Sequence, residues 1–166
     1  DGMAKRAAAF STVPIINAGD GTGQHPTQAL LDLYTIKEEI GRVAGTSIAI
    51  AGDLNRGRTV RSLTYLYEKY PDIKIYFVSP ETARMRDDIK DHLKEHKVWF
   101  EEVYDLREVA PLVDIIYNTR FQKERGNQIV KYGPPSFCTV NQEVLNLMKK
   151  EAIVMHPLHR IDEIAP

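Results

Sequence analysis

Ala49-Ile50-Ala51-Gly52-Asp53-Leu54-Asn55-Arg56-Gly57-Arg58-Thr59 is an apolar run that breaks at glycine and then delivers an arginine and a threonine into a helical pattern. The residues leading into it, Thr46 to Ala51, are short and apolar on both faces, which predicts a buried strand of a parallel sheet. Beyond it Val60, Leu63, Leu66 and Tyr67 recur at helical spacing and predict a helix over Arg58 to Tyr70. Strand, tight turn and helix in this order aim unpaired N–H groups, and roughly half a positive charge, at whatever sits above the strand end. Arg58 adds a planar fork suited to carboxylate or phosphate. The turn has a competing reading. Gly52-x-x-x-x-Gly57-Arg58-Thr59 departs from the phosphate-binding G-x-x-x-x-G-K-[ST] only by arginine for lysine, which would make this a P-loop-like nucleotide-binding domain. Against that, Asp53 sets a carboxylate beside the cradle, and no second strand ends in the acid that a bound magnesium needs. The blandest alternative is an ordinary turn with a solvated Arg58.

Outward from this stretch the chain alternates. Asp1 to Phe10 reads as the tail of a helix that began earlier, and Val13 to Asn17 as a short strand or extended segment before the turn-rich Ala18 to Gly23. His25 caps a helix with Pro26 at its first position, an apolar stripe of Leu30, Leu33 and Tyr34, and an end near Gly41. Further strands are predicted at Ile73–Val78, Val98–Val103, Val113–Tyr117 and Ala152–Met155. Helices are predicted from Ser79 to about His96, from Asp105 to Leu112 and from Asn141 to Lys150. Each crossover is long enough for a right-handed βαβ unit. No repeat or linker interrupts the pattern, so the fold class is α/β, one doubly wound, Rossmann-like parallel sheet with helices on both faces.

The 166 residues, 43% hydrophobic, suffice for one core, and no run of about 18 apolar residues is present to span a membrane. A net charge of −1 with interspersed signs argues against a nucleic-acid partner. Cys138, the only cysteine, excludes an internal disulfide and, with no signal peptide visible, fits a cytoplasmic protein.

In a doubly wound sheet, ligands bind beyond the carboxyl ends of the strands. The unusual polar residues fall there: Arg58 and Thr59 after one strand, Thr119, Arg120 and Gln122 after another, and His156-Pro157-Leu158-His159-Arg160 after the last. Together with the His25 helix start they imply a pocket for a small, multiply charged anion.

These residues also carry a resemblance. Val13-Pro14-Ile15-Ile16-Asn17-Ala18-Gly19-Asp20-Gly21 running into His25-Pro26-Thr27-Gln28, Gly52-Asp53-Leu54 with Gly57-Arg58-Thr59-Val60, Thr119-Arg120 with Gln122-Lys123-Glu124-Arg125, and His156-Pro157-Leu158 resemble the aspartate carbamoyltransferases over nearly the whole chain. The ornithine enzymes typically carry His-Cys-Leu-Pro where this chain has His156-Pro157-Leu158-His159, and they lack the Arg120-x-Gln122 pair.

The resemblance implies the aspartate-binding half, residues 1–166, of a two-domain enzyme of pyrimidine biosynthesis. That enzyme transfers the carbamoyl group of carbamoyl phosphate to the amine of L-aspartate. It implies that Arg58 and Arg120 hold the two aspartate carboxylates, that Thr59 and Gln122 complete the hydrogen bonds, and that Glu124 orients Arg120. Two forked guanidiniums and a helix N-terminus suit a compact dicarboxylate. His25 would meet the carbonyl oxygen of carbamoyl phosphate as a neutral donor to the developing oxyanion. Gln28, with the backbone carbonyls of Pro157 and Leu158, would hold the carbamoyl amide. No metal or organic cofactor is expected, and the full-length parent is expected to be a homotrimer. A non-catalytic module that keeps this fold is the other class open to the sequence.

The departures from the family pattern are specific. Its Ser-Thr-Arg-Thr phosphate loop, a second phosphate-binding arginine, and the serine and lysine from a neighbouring subunit are absent, as are the C-terminal helices, so an inactive fragment is expected. His159 stands where the family has proline in a cis bond, and a trans Leu158–His159 bond is expected because cis is disfavoured before other residues. His92-Leu93-Lys94-Glu95-His96 matches H-x-x-E-H and sets two imidazoles on one helical face. Met85, Ile89 and Leu93 share that face and no third ligand is suggested, so two half-buried histidines packed toward the sheet are expected instead. Cys138 reads as a packed thiol, and Lys131-Tyr132-Gly133-Pro134-Pro135 as a loop that moves in the family as the domains close.

Overall fold

The computed structural model describes residues 2–121 and 136–165. The expectations for Gln122, Glu124 and the Lys131 to Pro135 loop lie outside the described residues. Five strands, β1 (Ser47–Ala51), β2 (Lys74–Val78), β3 (Trp99–Val103), β4 (Ile115–Asn118) and β5 (Ile153–Met155), form one parallel sheet in the order β3-β2-β1-β4-β5. The six α-helices among the described residues are α1 (Met3–Phe10), α2 (Pro26–Ile40), α3 (Arg58–Tyr67), α4 (Asp87–Glu95), α5 (Leu106–Val109) and α6 (Gln142–Leu147).

Strand alternation splits the core into two layers. Ile48, Ile50, Ile75, Phe77, Ile115 and Tyr117 face α2, α3 and α4, while Ala49, Ala51, Tyr76, Val78 and Ile116 face α5 and α6. Both faces are covered, so β1 is buried at every residue, as its apolar composition predicts. The chain winds from β1 outward through β2 and β3, then returns to build β4 and β5 on the other side. The strand order therefore reverses between β1 and β4, which is where such sheets open a crevice.

Several local expectations are refined. Of the two readings of Val13 to Asn17, strand or extended segment, the strand is excluded: Val13 and Ile16 are exposed, and no strand of the sheet pairs with the segment. The stripe of α2 is rotated, with Ala29, Asp32, Leu33 and Ile36 buried while Leu30 and Tyr34 are exposed. A buried carboxylate on that face hides it from a purely apolar count. The helix predicted from Ser79 to His96 is divided into a 3₁₀ turn at Glu81–Ala83 and α4. The amides of Leu54 and Asn55 both donate to the Ala83 carbonyl, at 3.0 and 3.2 Å, which takes the acceptor that a continuous helix would use. Finally, α6 is shorter than predicted; Asn141 caps it through Val144 N at 3.0 Å, and Met148 is already extended.

Candidate functional site

A cavity of about 140 Å³ opens above the crevice between β1 and β4. Arg58 and Thr59 reach it from the first turn of α3, Thr119 and Arg120 from the end of β4. His25 and Gln28 enter from the start of α2, and His156, Pro157 and Leu158 from the loop after β5. All nine residues that line the cavity, Thr119, His156 and Leu158 among them, were named from the sequence; Gln122 is outside the described residues.

The turn that starts α3 has spent its amides. Leu54 N and Asn55 N bond Ala83, Arg56 N bonds the Asp53 carboxylate at 3.2 Å, and Gly57 N bonds the Asp53 carbonyl at 3.1 Å. Asp53 is fully buried beneath them. A P-loop needs those same N–H groups turned toward phosphate, so the nucleotide-cradle reading of Gly52 to Thr59 loses its donors. What faces the cavity is Arg58, whose guanidinium lies so close to Gly19 that an added Cβ there would meet Cζ at 2.8 Å.

His25 is the N-cap of α2. Its Nδ1 accepts from Gln28 N at 3.3 Å and faces the Thr27 hydroxyl at 3.3 Å, so the ring proton sits on Nε2. Its backbone N–H donates to Ser62 Oγ at 2.8 Å, tying the cap to α3. Burial, then the positive charge of Arg58, lower the imidazole pKa from its ordinary value. The ring is a neutral hydrogen-bond donor at physiological pH.

Gln28 is oriented by a residue the sequence reading missed. Gln28 Nε2 donates to Asp32 Oδ1 at 2.9 Å, and Tyr117 OH donates to Asp32 Oδ2, also at 2.9 Å. With its NH₂ directed at Asp32, Gln28 offers its carbonyl oxygen for a further bond. Tyr117 also hydrogen-bonds the Thr59 side chain, so one buried chain of contacts joins Gln28 to Thr59. The spacing Gln28-x-x-x-Asp32 on one helical face was the available signal.

Burial raises the Asp32 pKa to about 6, against the lowering effect of its two hydrogen bonds. In the unfolded chain the group ionises near 3.8, so from there to about 6 the unfolded state gives up its proton first and Asp32 loses stability for the fold as pH rises. Above about 6 the penalty is constant, on the order of 2 to 3 kcal/mol. Asp32→Asn is expected to abolish this, so the stability difference between variant and parent chain should move in the variant's favour between pH 4 and pH 6.5. Urea unfolding at the two pH values checks it; parallel curves would mean that Asp32 does not titrate in that window.

The loop after β5 hangs on Glu163, also missed. His156 Nε2 lies 2.8 Å from Glu163 Oε1, both side chains at least 95% buried, and Leu158 N donates to His156 Nδ1 at 2.9 Å. Ile161 N and Asp162 N donate to the same carboxylate at 3.0 and 3.2 Å, and the adjoining His156 ring and backbone amides hold its pKa below the ordinary value despite burial. The Leu158–His159 bond is cis, which overturns the expectation of trans. That expectation rested on the general preference of bonds before residues other than proline; here the loop is tied within the chain by the His156 and Glu163 contacts.

The remaining candidates separate. Cys138 is buried, its thiol pushed up to about 12 by desolvation, as a packed thiol should be. His92 is half-buried and packs edge-on against Tyr65, whereas His96 is exposed, so only one of the pair meets the expectation.

The chain belongs to the aspartate/ornithine carbamoyltransferase family: residues 44–165 match its Asp/Orn binding domain and residues 2–38 its carbamoyl-P binding domain. It is 56% identical over 165 residues to aspartate carbamoyltransferase 2, chloroplastic, of Pisum sativum, covering 98% of this chain and 43% of the pea protein. It superposes on the catalytic subunit of M. jannaschii aspartate transcarbamoylase with a TM-score of 0.88 and 45% identity, over 99% of this chain and 53% of that one. The Trypanosoma cruzi aspartate transcarbamoylase in complex with carbamoyl aspartate and phosphate gives 0.87 and 38%, over 97% and 51%. The chain spans about half the length of these relatives. No helix among the described residues is long and apolar enough to cross a membrane.

Proposed function

We propose that this chain is the aspartate-binding part of an aspartate carbamoyltransferase, residues 44–165, together with a segment of its carbamoyl-phosphate part, residues 2–38, rather than an aspartate-binding half over all of 1–166, and that its cavity receives aspartate and the carbamoyl end of carbamoyl phosphate. The observation that carries the reading is the convergence of Arg58, Arg120, His25 and Gln28 on one cavity at the β1–β4 crevice. Arg58 and Arg120 supply two forks for two carboxylates, with Thr59 and Gln122 completing the set. The aspartate amine attacks the carbonyl carbon of carbamoyl phosphate, the C=O electrons move onto oxygen, and collapse breaks the C–O bond and expels phosphate, which takes up the proton the amine nitrogen gives up. His25 Nε2–H stabilises the oxyanion of that intermediate. Gln28, its NH₂ engaged by Asp32, accepts from the carbamoyl NH₂ beside the carbonyls of Pro157 and Leu158. Aspartate rather than ornithine follows from the two arginines, which match a dicarboxylate and repel an amine. The full-length parent is a homotrimer in this reading. Its compartment is a reducing one, the cytoplasm or, as the pea relative's name has it for that protein, the chloroplast.

Carbamoyl phosphate and either aspartate or ornithine, offered to a full-length parent, decide the reading; turnover of ornithine and not aspartate overturns it. The 166-residue chain alone is expected to form no measurable carbamoyl aspartate. The sequence holds no Ser-Thr-Arg-Thr loop to clamp the phosphate, so the several kcal/mol gained by proximity is lost. Product above background from chain free of host enzyme would refute this.

A further inference from the structure

At the end of α3 and α4, away from the cavity, three side chains from two elements converge. Glu68 is the C-cap of α3, His92 lies in the last turn of α4 and His96 is its C-cap. One ligand atom from each lies within 4.8 Å of the other two. The Glu68 side chain is only 2% exposed, and its Oε2 sits 2.9 Å from His92 Nε2. That approach lacks the alignment of a hydrogen bond, and both atoms are buried without any hydrogen-bond partner. A carboxylate oxygen and an imidazole nitrogen in this state are costly unless something between them satisfies both.

We infer that Glu68, His92 and His96 form a binding site for Zn²⁺ or an ion of similar borderline softness. His96 Nδ1 donates to the His92 carbonyl at 2.8 Å, which leaves the Nε2 lone pair as the ligand and fixes the ring as ligating histidines are usually fixed. Tyr65 packs edge-on against His92, with centroids 4.7 Å apart, and limits its rotation. Two imidazoles and one carboxylate suit zinc rather than magnesium or calcium. A tetrahedral ion at about 2.0 to 2.2 Å from its ligands sets them roughly 3.3 to 3.5 Å apart, so the Glu68–His92 gap needs to open by only about half an ångström. Two helix C-termini meet here, and their dipoles favour a cation. Water from the adjoining recess, lined by Tyr70, Lys97 and Trp99 beside His96, completes the fourth position. The sequence showed only the two histidines; Glu68 comes from another helix, and its carboxylate is the third ligand that H-x-x-E-H lacked. The ion would staple α3 to α4 and take no part in carbamoyl transfer.

Calorimetric titration of the metal-free 166-residue chain with Zn²⁺ at neutral pH is expected to show one tight equivalent, and Co²⁺ to give the visible absorption of a tetrahedral complex. His96→Ala, at an exposed position that should fold normally, is expected to weaken Zn²⁺ at least tenfold and abolish the Co²⁺ band. Glu68→Gln should weaken Zn²⁺ likewise, and His25→Ala should change neither readout. Unaltered affinity in His96→Ala, no binding by the parent chain, or loss of binding only in His25→Ala would each overturn the site.

Discussion

His25→Ala in a full-length protein carrying this chain is expected to lower kcat by about 10²- to 10³-fold at saturating substrates, with a much smaller change in the KM for aspartate. The size follows from timing. Nδ1 is committed to Gln28 N, burial and Arg58 keep the ring neutral, and the residue lines the cavity with one ring N–H left to donate. A neutral donor meets only a weakly basic carbonyl in the ground state, and its bond strengthens as that oxygen becomes an anion. Its loss therefore falls on the transition state. Arg120→Ala makes the contrasting case. Its proposed partner is a carboxylate already charged in free aspartate, so ground and transition states should weaken together and the loss appear chiefly in KM. Steady-state kinetics of both variants separate the roles. A kcat within a few-fold of the parent value in His25→Ala would mean that another group carries the oxyanion.

The residues that were legible in the sequence are those that a boundary marks. His25 stands before Pro26 at a helix start, Arg58 follows a glycine-broken strand, and Arg120 and His156 follow apolar runs, so each is polar where the pattern changes. The parallel sheet was legible for a related reason: strands buried on both faces leave continuous apolar runs, and long crossovers leave helical spacing between them. Asp32, Tyr117 and Glu163 were not legible because each lies inside a pattern. Asp32 occupies the apolar stripe of α2, Tyr117 ends an apolar run within a buried strand, where an aromatic reads as core, and Glu163 sits in an irregular tail. Their partners are 85 and 7 residues away, and only the fold makes those pairs neighbours. The division of the Ser79 to His96 helix belongs to the same class, since the competing donors for Ala83 come from the turn after β1.

Gly52→Ala is expected to cost at least about 4 kcal/mol, enough to leave much of the chain unfolded against a typical margin of about 5 to 15 kcal/mol. Two effects add. Gly52 has a φ of +119°, a conformation that costs a residue with a Cβ on the order of 1 to 3 kcal/mol. An added Cβ would also overlap the carbonyl oxygen of Thr119 and lie 3.0 Å from both its carbonyl carbon and Cγ2. Neither strand can retreat cheaply. Thr119 N donates to the Ala51 carbonyl at 2.9 Å, Gly52 N donates to Val78 at 3.1 Å, and Ala51 pairs with the fully buried Asn118. Opening the contact breaks the β1–β4 ladder at the point where the strand order reverses, and it moves Arg58 and Arg120, which flank the same crevice. Gly41→Ala supplies the control, because its φ is +82° but nothing lies within 4 Å of an added Cβ; it should cost only the 1 to 2 kcal/mol of a left-handed residue. Urea unfolding of the two variants distinguishes strain from overlap. Equal losses would show that the close approach of β1 to Thr119 adds nothing beyond backbone conformation. A clear excess in Gly52→Ala would show that the crevice holding the two arginines is set by a contact that only glycine permits.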